Sequence, residues 1–152
     1  ELPTAAGPPY PLSIRGAGEM LPRSDNRVTL DTSKTDNHGR PVPSITLSDG
    51  AHARETMKHC VEVQKSILRE LGAEITGVRT LSERSMSTHH MGTTRMGTDP
   101  AESVVNEEGQ THDLANLWIA SSSVFPTAGA NNPTLTIAAL ALKTADHIDD
   151  KL

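Results

Sequence analysis

The sequence predicts an α+β fold, and three observations carry that prediction. Two short alternating stretches, Arg27-Val28-Thr29-Leu30 and Ser44-Ile45-Thr46-Leu47, flank a turn-rich segment in the manner of paired strands. A run beginning at Asp49 places Met57, Val61, Ile67, Leu68 and Leu71 at roughly helical spacing. A second helical run, opening at Pro133, is the most apolar stretch of the chain.

Residues 1–26 are rich in Pro and Gly and hold no sustained period, so they read as an irregular lead-in that needs a surface to lie against. They lack an initiator Met and the apolar core of a signal peptide, which suggests a processed or truncated product, or a mature subunit. Asp36-Asn37-His38-Gly39-Arg40-Pro41 supplies the turn between the first two strands. Asp49 is expected to cap the following helix, which Gly72 should end, with Lys65 and Arg69 near the C-terminus where the helix dipole favours cations. Ile75-Thr76-Gly77-Val78-Arg79-Thr80-Leu81 and Leu117-Trp118-Ile119-Ala120 read as further strands, the second followed by a serine turn. Asn132 is expected at the N-cap of the closing helix and Pro133 at its first position, where a missing N–H costs nothing. Leu135, Ile137, Ala138, Leu140, Ala141, Leu142 and Ala145 leave that helix apolar on most of its circumference, so it should be buried on several sides.

Composition narrows the function classes. The 152 residues suffice for one domain with one core, and Tyr10, Trp118 and Phe125 are its only aromatics. A net charge of −5, with Lys and Arg scattered, gives no support to a nucleic-acid partner. Cys60 is alone, so no internal disulfide can form, and mid-helix it reads as a small buried hydrophobe. No segment is apolar over the length a bilayer span requires.

The chemistry gathers in the last third. Thr88-His89-His90-Met91-Gly92-Thr93-Thr94-Arg95-Met96-Gly97 offers a base that titrates near neutrality in a glycine-broken loop. Gly129-Ala130-Asn131-Asn132-Pro133-Thr134-Leu135-Thr136 offers an amide side chain and a helix N-terminus, where roughly half a positive elementary charge collects. By itself a histidine pair in a loop reads as surface, and Asn132 reads as a cap; the two motifs together favour a site. A zinc pair at His89 and His90 is rejected, because adjacent side chains diverge and no Cys, His or Asp cluster surrounds them. His38, His52, His59, His112 and His147 read as solvated or helix-face residues, and Ser121-Ser122-Ser123 lacks the Gly-x-Ser-x-Gly frame of a hydrolase nucleophile.

These two motifs, with Asn116-Leu117-Trp118-Ile119-Ala120 and Val124-Phe125-Pro126-Thr127 between them, resemble the C-terminal part of a glucose–methanol–choline (GMC) flavoprotein oxidoreductase. Within that family they are similar to the pyranose oxidases and bacterial FAD-linked sugar dehydrogenases, and the resemblance runs from about Asn26 to the end. It implies a substrate-binding sheet with helices, plus a C-terminal strand and helix that complete an FAD-binding domain on a partner chain. Residues 27–110 would be the substrate-binding part with the histidine loop, and 111–152 the part closing the FAD-binding domain. The catalytic histidine, three positions before the motif glycine, is His89. Asn132 takes the second catalytic position, where an amide can hydrogen-bond and orient the alcohol but cannot act as a base. Cofactor contacts are implied for His90, Met91, Gly92, Ser122, Pro133, Thr134 and Leu135. Several family members carry Asp in the strand-end turn, where Ser121-Ser122-Ser123 stands here.

The Gly-x-Gly-x-x-Gly turn that binds the ADP half of FAD is missing: Arg15-Gly16-Ala17-Gly18-Glu19-Met20 has neither the third glycine nor a preceding apolar strand. The expectation is therefore an FAD-dependent oxidation of a sugar or glycoside hydroxyl, shared with a second polypeptide that carries the N-terminal dinucleotide-binding half. The alternative is a non-catalytic assembly or binding subunit that retains the fold, and co-purification of FAD separates the two.

Overall fold

The computed structural model describes residues 11–79 and 89–151. Strands β1 (Arg27–Thr35) and β2 (Pro41–Thr46) form an antiparallel pair, followed by helix α1 (Ala51–Glu70); a 3-10 turn at Ser122–Val124 precedes helix α2 (Thr134–Asp149). This is the α+β content expected.

The hairpin is longer than its alternating residues suggest because its turn is closed by Asp36. The Asp36 carboxylate accepts the N–H groups of His38 (2.8 Å) and Arg40 (2.9 Å), and Asp36 N–H donates to the Arg40 carbonyl at 2.8 Å. The Arg40 N–H and then the His38 N–H hold that carboxyl below its ordinary value. Gly39 takes φ of +75° in the same turn. The register is regular from Arg27↔Thr46 to Asp31↔Val42 and then shifts before Thr35↔Pro41. Asp31 causes the shift: its side chain accepts both the N–H (3.0 Å) and the hydroxyl (2.6 Å) of Ser33, drawing that backbone out of the ladder. At the open end the Asn26 amide spans the pair, donating to the Ser48 carbonyl at 3.1 Å and accepting its N–H at 2.8 Å.

Helix α1 begins one residue later than expected. Gly50, not Asp49, is the N-cap, with extended backbone and no side-chain cap, and the Arg54 guanidinium donates to the Asp49 carbonyl. Its end follows the expectation closely. Gly72 at φ +69° donates to Arg69 O (2.9 Å) and Ala73 to Leu68 O (2.9 Å), the paired bonds of a Schellman ending. The described lead-in lies against this helix at Gly16 and Gly18: a methyl group at Gly16 would meet Gln64 and Cys60, and one at Gly18 would meet Thr56 and Met57. Cys60 is accordingly half-buried. Of the strand expected over Ile75–Leu81, residues 75–79 have no regular structure, and Thr80 and Leu81 lie outside the described residues. A strand needs a backbone beside it, and none of the described segments runs along this one.

The second region is built on an irregular layer. Met96 pairs with Val105, Val105 with Thr111, and Gln110 with Trp118. The expected strand Leu117–Ala120 is reduced to that last bridge, held by Thr111 N–H to Leu117 O (2.9 Å) and Ile119 N–H to Gly109 O (2.8 Å), because only the short 109–111 segment runs beside it. Val105, Val124 and Phe125 are the buried core here, with Met91, Met96, Ile119, Ile137 and Leu140 packed on it. Helix α2 lies across the layer, where buried Thr144 donates to Glu108 O (3.0 Å) and Lys143 to Glu107 O (2.7 Å). Gly109, at φ +78°, lets the helix this close: a Cβ there would stand 2.9 Å from the Thr144 hydroxyl.

Helix α2 is not buried on several sides. Ile137, Leu140 and Thr144 face the core, while Leu135 is 86% and Leu142 68% exposed. Across the chain the pattern repeats, with Val28, Leu30, Ile45 and Leu47 of the hairpin region also exposed. The chain exposes 12181 Å², whereas a compact monomer of 16.2 kDa exposes roughly 7,500 Å². No helix among the described residues is long and apolar enough to cross a membrane.

Candidate active site

The histidine loop and the start of α2 meet around the 3-10 turn. Beyond His89 the loop runs beside that turn, with Gly92 N–H donating to Ser122 O (3.3 Å), Thr94 N–H to Ser123 O (2.9 Å) and Met96 N–H to Val124 O (2.8 Å). Ser122 Oγ donates to the His90 carbonyl at 2.8 Å. Gly92 is required where it stands: its φ is +84°, and an added Cβ would lie 3.3 Å from the Phe125 carbonyl oxygen. Gly92→Ala should cost about 1–2 kcal/mol from the left-handed backbone alone, to be read in denaturant melts.

The serine turn is a hydroxyl network. Ser121 Oγ accepts the Ser123 N–H at 3.0 Å, its hydroxyl stands 2.5 Å from Ser123 Oγ, and Thr94 Oγ1 donates to Ser123 Oγ at 2.6 Å. Sequence reasoning did not find this network. A serine run carries no periodic signal, and its link to Thr94 spans 29 residues.

Between the two motifs lies a cleft of about 310 Å³, lined by residues of the loop and turn (Met91, Phe125), of the connection (Thr127, Ala128, Gly129) and of the α2 entry (Asn131, Asn132, Pro133, Thr136). Of the expected site residues, Met91, Asn132 and Pro133 line it. His89 and His90 stand exposed just before Met91, Gly92 abuts Phe125, and Thr134 and Leu135 are exposed on the first turn of α2. Phe125, Gly129 and Thr136 join the lining although sequence reasoning gave them no role there.

Asn132 does not cap α2. Pro133 occupies the N-cap with near-helical backbone, its carbonyl accepting Ile137 N–H at 2.9 Å, and no side chain caps the helix. Proline is already fixed in φ, so the helical path starts at Pro133 without help from the preceding amide. The cleft therefore meets an uncapped N-terminus of a sixteen-residue helix, where outward N–H groups and the dipole favour negative charge. Small residues, apolar Met91 and Phe125 in the lining, and the adjoining helix N-terminus are compatible with the edge of a flat, electron-rich ring.

His112, expected to be solvated, is instead half-buried with Nε2 2.8 Å from Ser103 Oγ. His147 likewise turns Nε2 into the protein without a hydrogen-bond partner among the described residues.

A family model described as GMC oxidoreductase matches residues 22–141. Among curated proteins, the fructose dehydrogenase large subunit of Gluconobacter japonicus is 34% identical, over 86% of this chain and 24% of its own length. A C-glycoside 3-oxidase of Arthrobacter globiformis is 32% identical over 95% of this chain and 29% of its own. Pyranose 2-oxidase of Tricholoma matsutake is 30% identical over 94% and 27%. The chain thus spans about a quarter of the length of the curated relatives it matches. Among solved structures, pyridoxine 4-oxidase from Mesorbium loti shares the fold, with a TM-score of 0.57 at 21% identity over 79% of this chain and 26% of that one.

Proposed function

The chain belongs to the GMC oxidoreductase family, whose cofactor is FAD, and from that premise we propose that it is the substrate-facing C-terminal part of an enzyme oxidising a sugar or glycoside hydroxyl. The observation that supports this most is the cleft shared by the histidine loop and the α2 entry. The names of these relatives, a fructose dehydrogenase, a C-glycoside oxidase and a pyranose oxidase, support a sugar or glycoside hydroxyl as the substrate.

In this reading His89 accepts the hydroxyl proton of the substrate on its imidazole. Asn132 donates its amide to the alcohol oxygen and fixes the alcohol's orientation, a role its side chain can take because Pro133 heads the helix. When bound, FAD supplies the two-electron acceptor for the hydrogen leaving the alcohol carbon. His90, Met91 and Gly92 on one side, and Pro133, Thr134 and Leu135 on the other, would hold its ring, with the first-turn amides of α2 favouring negative charge on its edge. Met91 and Phe125 contribute apolar surface to the lining of the cleft.

In this reading the dinucleotide-binding half lies outside these 152 residues, whether on the same polypeptide or on a second one. Arg15–Met20 passes over α1 as irregular chain, and the exposed Leu135, Leu142 and hairpin residues are the surfaces that half would cover. Residues 27–110 then form the substrate-binding part and 111–152 the closing part of the FAD-binding domain. The test is to produce the 152-residue chain alone and together with that half. The pair should carry flavin absorption that a sugar or glycoside bleaches without oxygen, and the isolated chain should not melt cooperatively as a flavin-free monomer. A colourless complex, or a stable folded monomer, would overturn the reading.

A further inference from the structure

The loop that follows His89 is tied to the 3-10 turn by backbone bonds at Gly92, Thr94 and Met96, and by one side-chain bond at the end nearest His89. That bond is the Ser122 hydroxyl donating to the His90 carbonyl at 2.8 Å. The carbonyl of the same serine accepts Gly92 N–H at 3.3 Å, so one residue grips the chain on both sides of Met91, and the hydroxyl is the tighter of the two holds. Ser122 is itself held in a turn that Ser121 caps and that the Thr94–Ser123 hydroxyl pair fastens to the loop. The grip therefore has a rigid base. It also sits beside the cleft, since Met91 and Phe125 both line it.

We propose that Ser122 is a positioning residue, whose hydroxyl holds the His90–Met91 peptide and, through the backbone of His90, restrains the position of His89. The proposal rests on the reading of His89 as the base. The held peptide lies one residue beyond His89, so releasing it lets the His89 backbone shift, and a displacement of about 1 Å in a reacting group can cost on the order of a hundred-fold in rate. No change in apolar burial or in cofactor charge is involved, which separates this role from a merely structural one.

The test compares Ser122→Ala, Ser122→Thr and His89→Ala in the complete FAD-loaded enzyme by rapid-mixing flavin reduction. Ser122→Ala should lower the limiting reduction rate by roughly ten- to a hundred-fold, with substrate affinity and FAD content close to the parent. Ser122→Thr keeps the hydroxyl and should recover most of the rate. Amide hydrogen exchange at Gly92 should quicken in Ser122→Ala but not in Ser122→Thr, while Met96 at the far end of the loop stays protected. Ser122→Cys, near-isosteric but a weak donor, should be slowed likewise and carries the comparison if the alanine variant loses FAD. Parental reduction in Ser122→Ala beside slow reduction in His89→Ala would remove the positioning role alone. Ser122→Thr as slow as Ser122→Ala would also overturn it, because the hydroxyl would then not be the cause. Parental rates in both Ser122→Ala and His89→Ala would remove the proposed function itself.

Discussion

Replacing His89 by alanine should slow flavin reduction by roughly a hundred-fold to ten-thousand-fold, the range that loss of a general base produces, or about 3–5 kcal/mol of barrier. His90→Ala should cost far less. His89 is chosen by the motif register, three residues before Gly92, and a contrast is expected because the loop is held. The His90 carbonyl is fixed by Ser122, and the chain then turns sharply at Gly92 with φ of +84°. Consecutive side chains on such a fixed backbone leave it in different directions, so only one of the two imidazoles can meet the alcohol. The effect should fall on the rate of reduction at saturating substrate rather than on affinity, because the proton moves only as the bond to carbon breaks. Rapid mixing in the absence of oxygen reads that step directly. A His90→Ala enzyme slower than His89→Ala would reverse the assignment.

How far the fold could be read in advance depended on whether the cause was local. The β1–β2 hairpin was legible because Asp36 and Gly39 close its turn within five residues. The C-terminus of α1 was legible for the same reason, Gly72 being the residue that accepts a left-handed backbone. The misplaced features depend on what lies beside the chain. Leu117–Ala120 alternates like a strand but finds only the 109–111 segment as neighbour, and Ile75–Arg79 finds no ladder among the described residues. Side-chain capping preference places both helix starts one residue early. Gly50 takes the extended cap position after Asp49, and Pro133 supplies its own helical φ after Asn132. The site was half legible. Glycine and proline mark His89–Gly92 and Asn132–Thr134, whereas the Thr94–Ser123–Ser121 hydroxyls and the Ser122 grip exist only once distant segments are brought together.

The Asn132→Asp substitution should leave folding and melting intact while slowing flavin reduction on the order of a hundred-fold. Stability should not change because Asn132 caps nothing: the first helical hydrogen bond goes to the Pro133 carbonyl, and no side chain caps α2. By the same reasoning Asn132→Ala should lie within about 0.5 kcal/mol of the parent, as surface substitutions do, not at the ~1 kcal/mol that a lost cap costs. The kinetic penalty comes from charge. Asn132 lines the cleft at the α2 entry, where the proposed chemistry builds negative charge on the flavin edge. A carboxylate about 5 Å from that charge, at an effective dielectric near 20, opposes it by roughly 3 kcal/mol. It would also work against the α2 amides, which favour the same charge. Asn132→His should retain partial activity, since an imidazole can still donate a hydrogen bond to the alcohol oxygen. Thermal melts and anaerobic reduction on the same preparations separate the two contributions. An Asn132→Asp enzyme that reduces as fast as the parent would show that the amide does not touch the reacting alcohol, and would leave His89 to act without it.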